Sequence, residues 1–113
     1  MSPITTHVLD TSLGQPAQGL KITLSQRSPQ GGWEELASGV TNDDGRITDL
    51  LKPGQLTNGV YQMFFDTGGY HLKLGVEGFY PEAVITFEVK NLGQHYHIPL
   101  LLSPYGYSTY RGS

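Results

Sequence analysis

The sequence predicts an all-β protein, a sandwich of two sheets with one short helix, and three observations predict it. Fifteen glycines and seven prolines cut its 113 residues into short segments. Within those segments apolar and polar residues alternate with period two, as half-buried strands require, and not with the 3.6-residue period of a helix. The segments are also rich in β-branched and aromatic residues, which fit a pleated surface. Seven or eight short strands spaced by turn signals favour a sandwich over a small barrel.

Taken in order, the first predicted strand is Ile4 to Asp10. Leu20 to Ser25 follows, with Leu20, Ile22 and Leu24 on one face and Lys21, Thr23 and Ser25 on the other. Trp33 to Val40 leads into Asn42-Asp43-Asp44-Gly45, and Pro53-Gly54 comes later; these supply the positive φ and the preset φ that tight turns need. Val60 to Asp66 is a strand. The next stretch breaks the alternation: Thr67 is read as the cap of a two-turn helix to Leu74, with Tyr70 and Leu74 one turn apart and Gly75 to end it. Strands then resume at Ala83 to Lys90, Tyr96 to Leu102 and Tyr107 to Arg111. No internal repeat, low-complexity tract or linker interrupts them, so residues 1–113 read as a single domain.

Composition excludes several classes of function. There is no cysteine, which removes thiol nucleophiles, thiolate metal sites and disulfides. A net charge of -3 with only 15% charged residues gives no basic surface for a phosphate backbone, so nucleic acid is not an expected partner. The apolar run around Leu100 to Leu102 is bounded by Pro99 and Pro104 and is far too short to span a membrane. Met1-Ser2-Pro3 does not open a secretory signal, and Arg111-Gly112-Ser113 is not a peroxisomal address, so a bacterial cytoplasm is the expected compartment.

Among the four histidines, His95 and His97 stand two apart, which on a strand puts both rings on one face. That spacing suits proton transfer, a zinc ion completed by a residue such as His7, or plain solvated positions. Arg46 follows a turn and has Asp44 and Asp49 near it as surface partners. Asp43-Asp44-Gly45 lacks the alternating ligands and closing glutamate of a calcium loop. The aromatic segment Tyr105 to Tyr110 runs almost to the chain end, which fits a docked terminus at a pocket or an interface.

Three blocks resemble the transthyretin-related family, in its 5-hydroxyisourate hydrolase branch: Thr5-Thr6-His7-Val8-Leu9-Asp10, Thr41-Asn42-Asp43-Asp44-Gly45-Arg46, and His95-Tyr96-His97-Ile98-Pro99-Leu100-Leu101-Leu102-Ser103 through Tyr110-Arg111-Gly112-Ser113. Phe65-Asp66-Thr67-Gly68 and Phe79-Tyr80-Pro81-Glu82 are similar as well, and the terminal tetrapeptide is the mark that separates hydrolases from hormone carriers. The resemblance implies a transthyretin-like sandwich of two four-stranded sheets with one short helix, assembled as a homotetramer, a dimer of dimers with sites in the channel between them. It implies hydrolysis of the ring amide of 5-hydroxyisourate, a product of urate oxidation, to 2-oxo-4-hydroxy-4-carboxy-5-ureidoimidazoline, without metal or organic cofactor. His7, Arg46, His97 and Ser113 are the implied catalytic residues. His7 and Arg46 with Tyr110 are implied to bind substrate, and His95 is a neighbour. A non-catalytic carrier of a small aromatic ligand is the alternative on the same fold.

Overall fold

In the computed structural model, which describes residues 2–112, alternation along the first strand decides which side chains the sandwich hides. On β1 (Ile4–Asp10), Ile4, Thr6, Val8 and Asp10 are buried, while Thr5, His7 and Leu9 look outward. The remaining elements are β2 (Gln15–Pro16), β3 (Lys21–Arg27), β4 (Trp33–Val40), β5 (Arg46–Ile47), β6 (Gly59–Phe65), α1 (Thr67–Leu74), β7 (Ala83–Val89), β8 (Tyr96–Ser103) and β9 (Gly106–Thr109). One sheet runs β4-β3-β6-β7, antiparallel throughout. The other runs β2-β1-β8-β9, with β5 also on β1.

That second sheet holds five segments where four strands were expected. β2 pairs with Leu9 and Asp10, and β5 pairs with Thr6 and His7. Both therefore lie along one edge of β1 at different heights, and the sheet is four strands wide at the level of β2 and three at the level of β5, where β9 no longer flanks β8. On its other edge β1 runs parallel to β8, from Ile4 beside Tyr96 to Asp10 beside Leu102. The Thr6 hydroxyl donates to the Ile98 carbonyl at 2.7 Å, a further tie between the two.

The two sheets enclose Ile4, Val8, Ile22, Leu24, Met63, Phe65, Leu100 and Leu102, all fully or almost fully buried. Each such side chain contributes roughly 1.5–3 kcal/mol through removal from water. Asp10 is the one buried carboxylate among the described residues, at 1% exposure. It accepts from the Ser12 amide, the Ser12 hydroxyl, the Leu13 amide and the Tyr70 hydroxyl, the last at 2.7 Å, and so fastens α1 to the end of β1.

The helix occupies the predicted residues with a different cap. Asp66, not Thr67, accepts from the Gly69 amide at 3.0 Å, while the Thr67 hydroxyl turns away to the Tyr80 carbonyl. A carboxylate at the N-terminus is also favoured by the helix dipole. Gly75 ends the helix at φ 69°. The last strand is shorter than expected: β9 stops at Thr109, and the chain then returns to β8 through a single bridge between His97 and Gly112. Among the described residues no helix is long and apolar enough to cross a membrane.

Candidate active site

The site grows from the outward face of β1 and its two neighbours. His7 pairs with Arg46 of β5, and Thr5 pairs with His97 of β8. Adjacent strands lie about 4.8 Å apart and advance about 3.3 Å per residue, so His7 and His97, offset by two positions, have Cα atoms roughly 8 Å apart. Alternation turns Thr5, His7, Arg46 and His97 to the same side, away from the core. Two imidazoles and a guanidinium thus share one patch without any loop having to carry them.

Arg46 reaches this place because of the turn before it. The Asn42 side chain accepts from the Asp44 and Arg46 amides at 2.9 and 3.0 Å, and the Asn42 carbonyl accepts from Gly45. Gly45 adopts φ 74°, and a Cβ there would collide with the Val8 carbonyl, so the turn presses onto β1 at a spot only glycine tolerates. The Arg46 guanidinium pairs with neither Asp44 nor Asp49; the ion pair among the described residues joins Lys90 and Glu88. Asn42 is a positioning residue that sequence reading took only for a turn former.

The electrostatics favour neutral imidazoles. His7 lies below the usual histidine value, first because it is partly buried and second because of the Arg46 charge; the Asp44 backbone and carboxylate oppose this. His97 is lowered by burial, then by Arg46, His7 and His95, with the Thr5 backbone opposing. Both rings therefore carry a lone pair at neutral pH, as a general base must. His95 is exposed, yet its Nε2 lies 2.9 Å from the Thr5 hydroxyl, which is also 2.8 Å from His97 Nδ1. Among the described residues no group of three or more histidine or acidic side chains is disposed to hold a metal ion.

The chain end closes over His97. Gly112 donates to the His97 carbonyl at 2.9 Å, and a Cβ on Gly112 would strike the imidazole. Arg111 lies over the Tyr96 ring at 4.7 Å and donates to Gln94 at 2.8 Å, which fixes the segment. Tyr110 is 58% exposed and lines a cleft of about 240 Å³ with His97, facing Ile85 and Phe87 of β7. His7 and Arg46 stand outside that cleft, on the open sheet face. Ser113 lies outside the described residues. The fourth histidine, His71, is apart from the site: it is a buried residue of α1, and its ring nitrogens have no hydrogen-bond partner among the described residues.

Comparison with known proteins places this geometry in a wider set. The model of the HIUase/Transthyretin family matches residues 4–112. A mouse protein named 5-hydroxyisourate hydrolase is 50% identical over 99% of this chain and 96% of its own. The structure of Klebsiella pneumoniae 5-hydroxyisourate hydrolase superposes with a TM-score of 0.84 at 39% identity, covering 97% of this chain and 98% of that one. Sea bream transthyretin in complex with thyroxine superposes with a TM-score of 0.94 at 35% identity, covering 98% and 95%.

Proposed function

This chain belongs to the HIUase/Transthyretin family, and from that premise we propose that it is a 5-hydroxyisourate hydrolase acting in urate breakdown, with water as the nucleophile. The observation that carries the reading is the pairing of His7 with Arg46 on the same outward face as His97, both imidazoles held below their usual pKa. A carrier of an apolar ligand has no use for such a set. Superposition alone does not separate the two activities, because the sea bream carrier and the Klebsiella hydrolase share this fold.

In the proposed reaction His97 takes a proton from water as the oxygen bonds to the ring amide carbonyl carbon. The electron pair of that carbonyl moves onto its oxygen, where the Arg46 guanidinium offsets the charge. Collapse of the adduct breaks the carbon–nitrogen bond, and the departing nitrogen receives a proton from the imidazolium. The carboxylic acid so formed ionises, giving 2-oxo-4-hydroxy-4-carboxy-5-ureidoimidazoline. His7 with Arg46 orients the ring, and Tyr110 and Ser113 complete its contacts. The working unit is a homotetramer in which these outward faces line a shared channel.

The test uses 5-hydroxyisourate generated from urate by urate oxidase, with its ultraviolet absorbance followed over time. We expect decay well above the spontaneous rate, and kcat/KM lowered about 100-fold or more in Arg46→Ala and in His97→Ala, the range typical of lost charge stabilisation or acid–base catalysis. Decay no faster than without protein removes the hydrolase reading. In that event, saturable thyroxine binding by the same preparation would favour the carrier.

A further inference from the structure

Thr5 sits between two imidazoles, and its hydroxyl can give its single proton to only one of them. Its Oγ is 2.8 Å from His97 Nδ1 and 2.9 Å from His95 Nε2. A hydroxyl has one proton to give and lone pairs with which to accept. If it gives its proton to His95, it accepts from an N–H at His97 Nδ1, and the His97 Nε2 is left bare. If it gives its proton to His97 Nδ1, then Nε2 carries the hydrogen and has no lone pair to offer.

We propose that Thr5 is a positioning residue that, with His95 as its outer acceptor, holds His97 in the Nδ1–H tautomer and so presents Nε2 as the base. The inference rests on the hydrolase reading only for what the base is used for. Thr5 stands directly opposite His97 in the parallel ladder, so the hydroxyl and the ring meet without strain. His95 is exposed, which leaves it free to adopt whichever tautomer offers Nε2 as an acceptor. Free imidazole side chains favour the hydrogen on Nε2, so the proposed state is one the protein has to impose. Orientation of a catalytic imidazole by the partner of its other nitrogen is a general device.

The experiment reads the tautomer directly in ¹⁵N-labelled, substrate-free protein at pH 8, from the chemical shifts and couplings of the His97 ring nitrogens. We expect a protonated Nδ1 and a bare Nε2. In Thr5→Val, which keeps the shape and removes the hydroxyl, the hydrogen should move largely to Nε2 and kcat should fall tenfold or more, with KM changed less than about twofold. Thr5→Ser should restore both. His95→Leu, an exposed change that leaves β1 untouched, should produce a partial shift in the same direction. A wild-type His97 already protonated at Nε2, or a tautomer unmoved by Thr5→Val, overturns the proposal. Because the ring state is read without substrate, a protein that shows this tautomer but does not hydrolyse 5-hydroxyisourate counts against the hydrolase reading alone.

Discussion

A single hydrogen atom at residue 112 separates an open site from a crowded one. The Gly112 Cα faces the His97 side chain so closely that a Cβ would lie 3.1 and 3.2 Å from its Cγ and Cβ, and nearer still to the ring's Cδ2. The imidazole would have to swing aside, and displacements near 1 Å can cost about 100-fold in rate. Gly112→Ala is therefore expected to lower kcat at least tenfold while moving the melting temperature by less than about 4 °C, since the change lies at an exposed end. Steady-state kinetics beside a thermal melt checks both; unchanged kinetics would mean that the ring is not confined by the chain end. At this scale much was legible. His7, Arg46 and His97 were read from the sequence because the motif blocks name them and period two puts both histidines on outward positions. The bridging role of Thr5 was not legible, because it depends on the register between strands that lie some ninety residues apart in sequence.

Strands and the helix were read from alternation, and the misses fall where alternation has no length to act over. β2 and β5 contain two residues each, too few to show any period, so the strand that delivers Arg46 was invisible. The sequence reading puts the cap at Thr67 because it takes Asp66 as the end of the strand before it; the Tyr80 carbonyl, distant in sequence, captures the threonine hydroxyl and leaves Asp66 to cap the helix. For β5 the decisive residue is Gly45. Gly45→Ala has to hold a left-handed φ and also push the Val8 carbonyl away, an expected loss of about 2–4 kcal/mol. Urea denaturation should show a lower midpoint at unchanged slope. A midpoint within error of the wild type would mean that the turn relaxes freely and does not set the place of Arg46.

At the scale of the whole molecule, acid stability turns on Asp10. Burial by itself would raise its pKa, but hydrogen bonds from Tyr70, Ser12 and Leu13 outweigh that and hold it below its ordinary 3.8. A group lowered in the folded state contributes stability that is complete above the unfolded value and is lost as pH falls through the folded one. The melting temperature should accordingly drop as pH is taken below about 4. Tyr70→Phe, which removes one of the four bonds, should cost about 1–3 kcal/mol at pH 7. The gap between the two proteins should narrow towards pH 2.5, and a gap independent of pH would show that the hydroxyl acts by packing alone. The two-sheet plan and its helix are evident from sequence, and alternation along β1 turns Asp10 inward with Ile4 and Val8, but nothing local reveals the tyrosine sixty residues on that meets it.

The parallel union of β1 with β8 also sets a timetable for synthesis. Thr5 and His97 are 92 positions apart, and ribosomes add about 5–20 residues per second, so the first half of the candidate site waits roughly 5–20 seconds for its other half. Throughout that interval the nascent chain carries an unfilled β1 edge. On the proposed function, a product that stops short of β8 is expected to be inert, because Thr5 and His7 then have no His97 beside them.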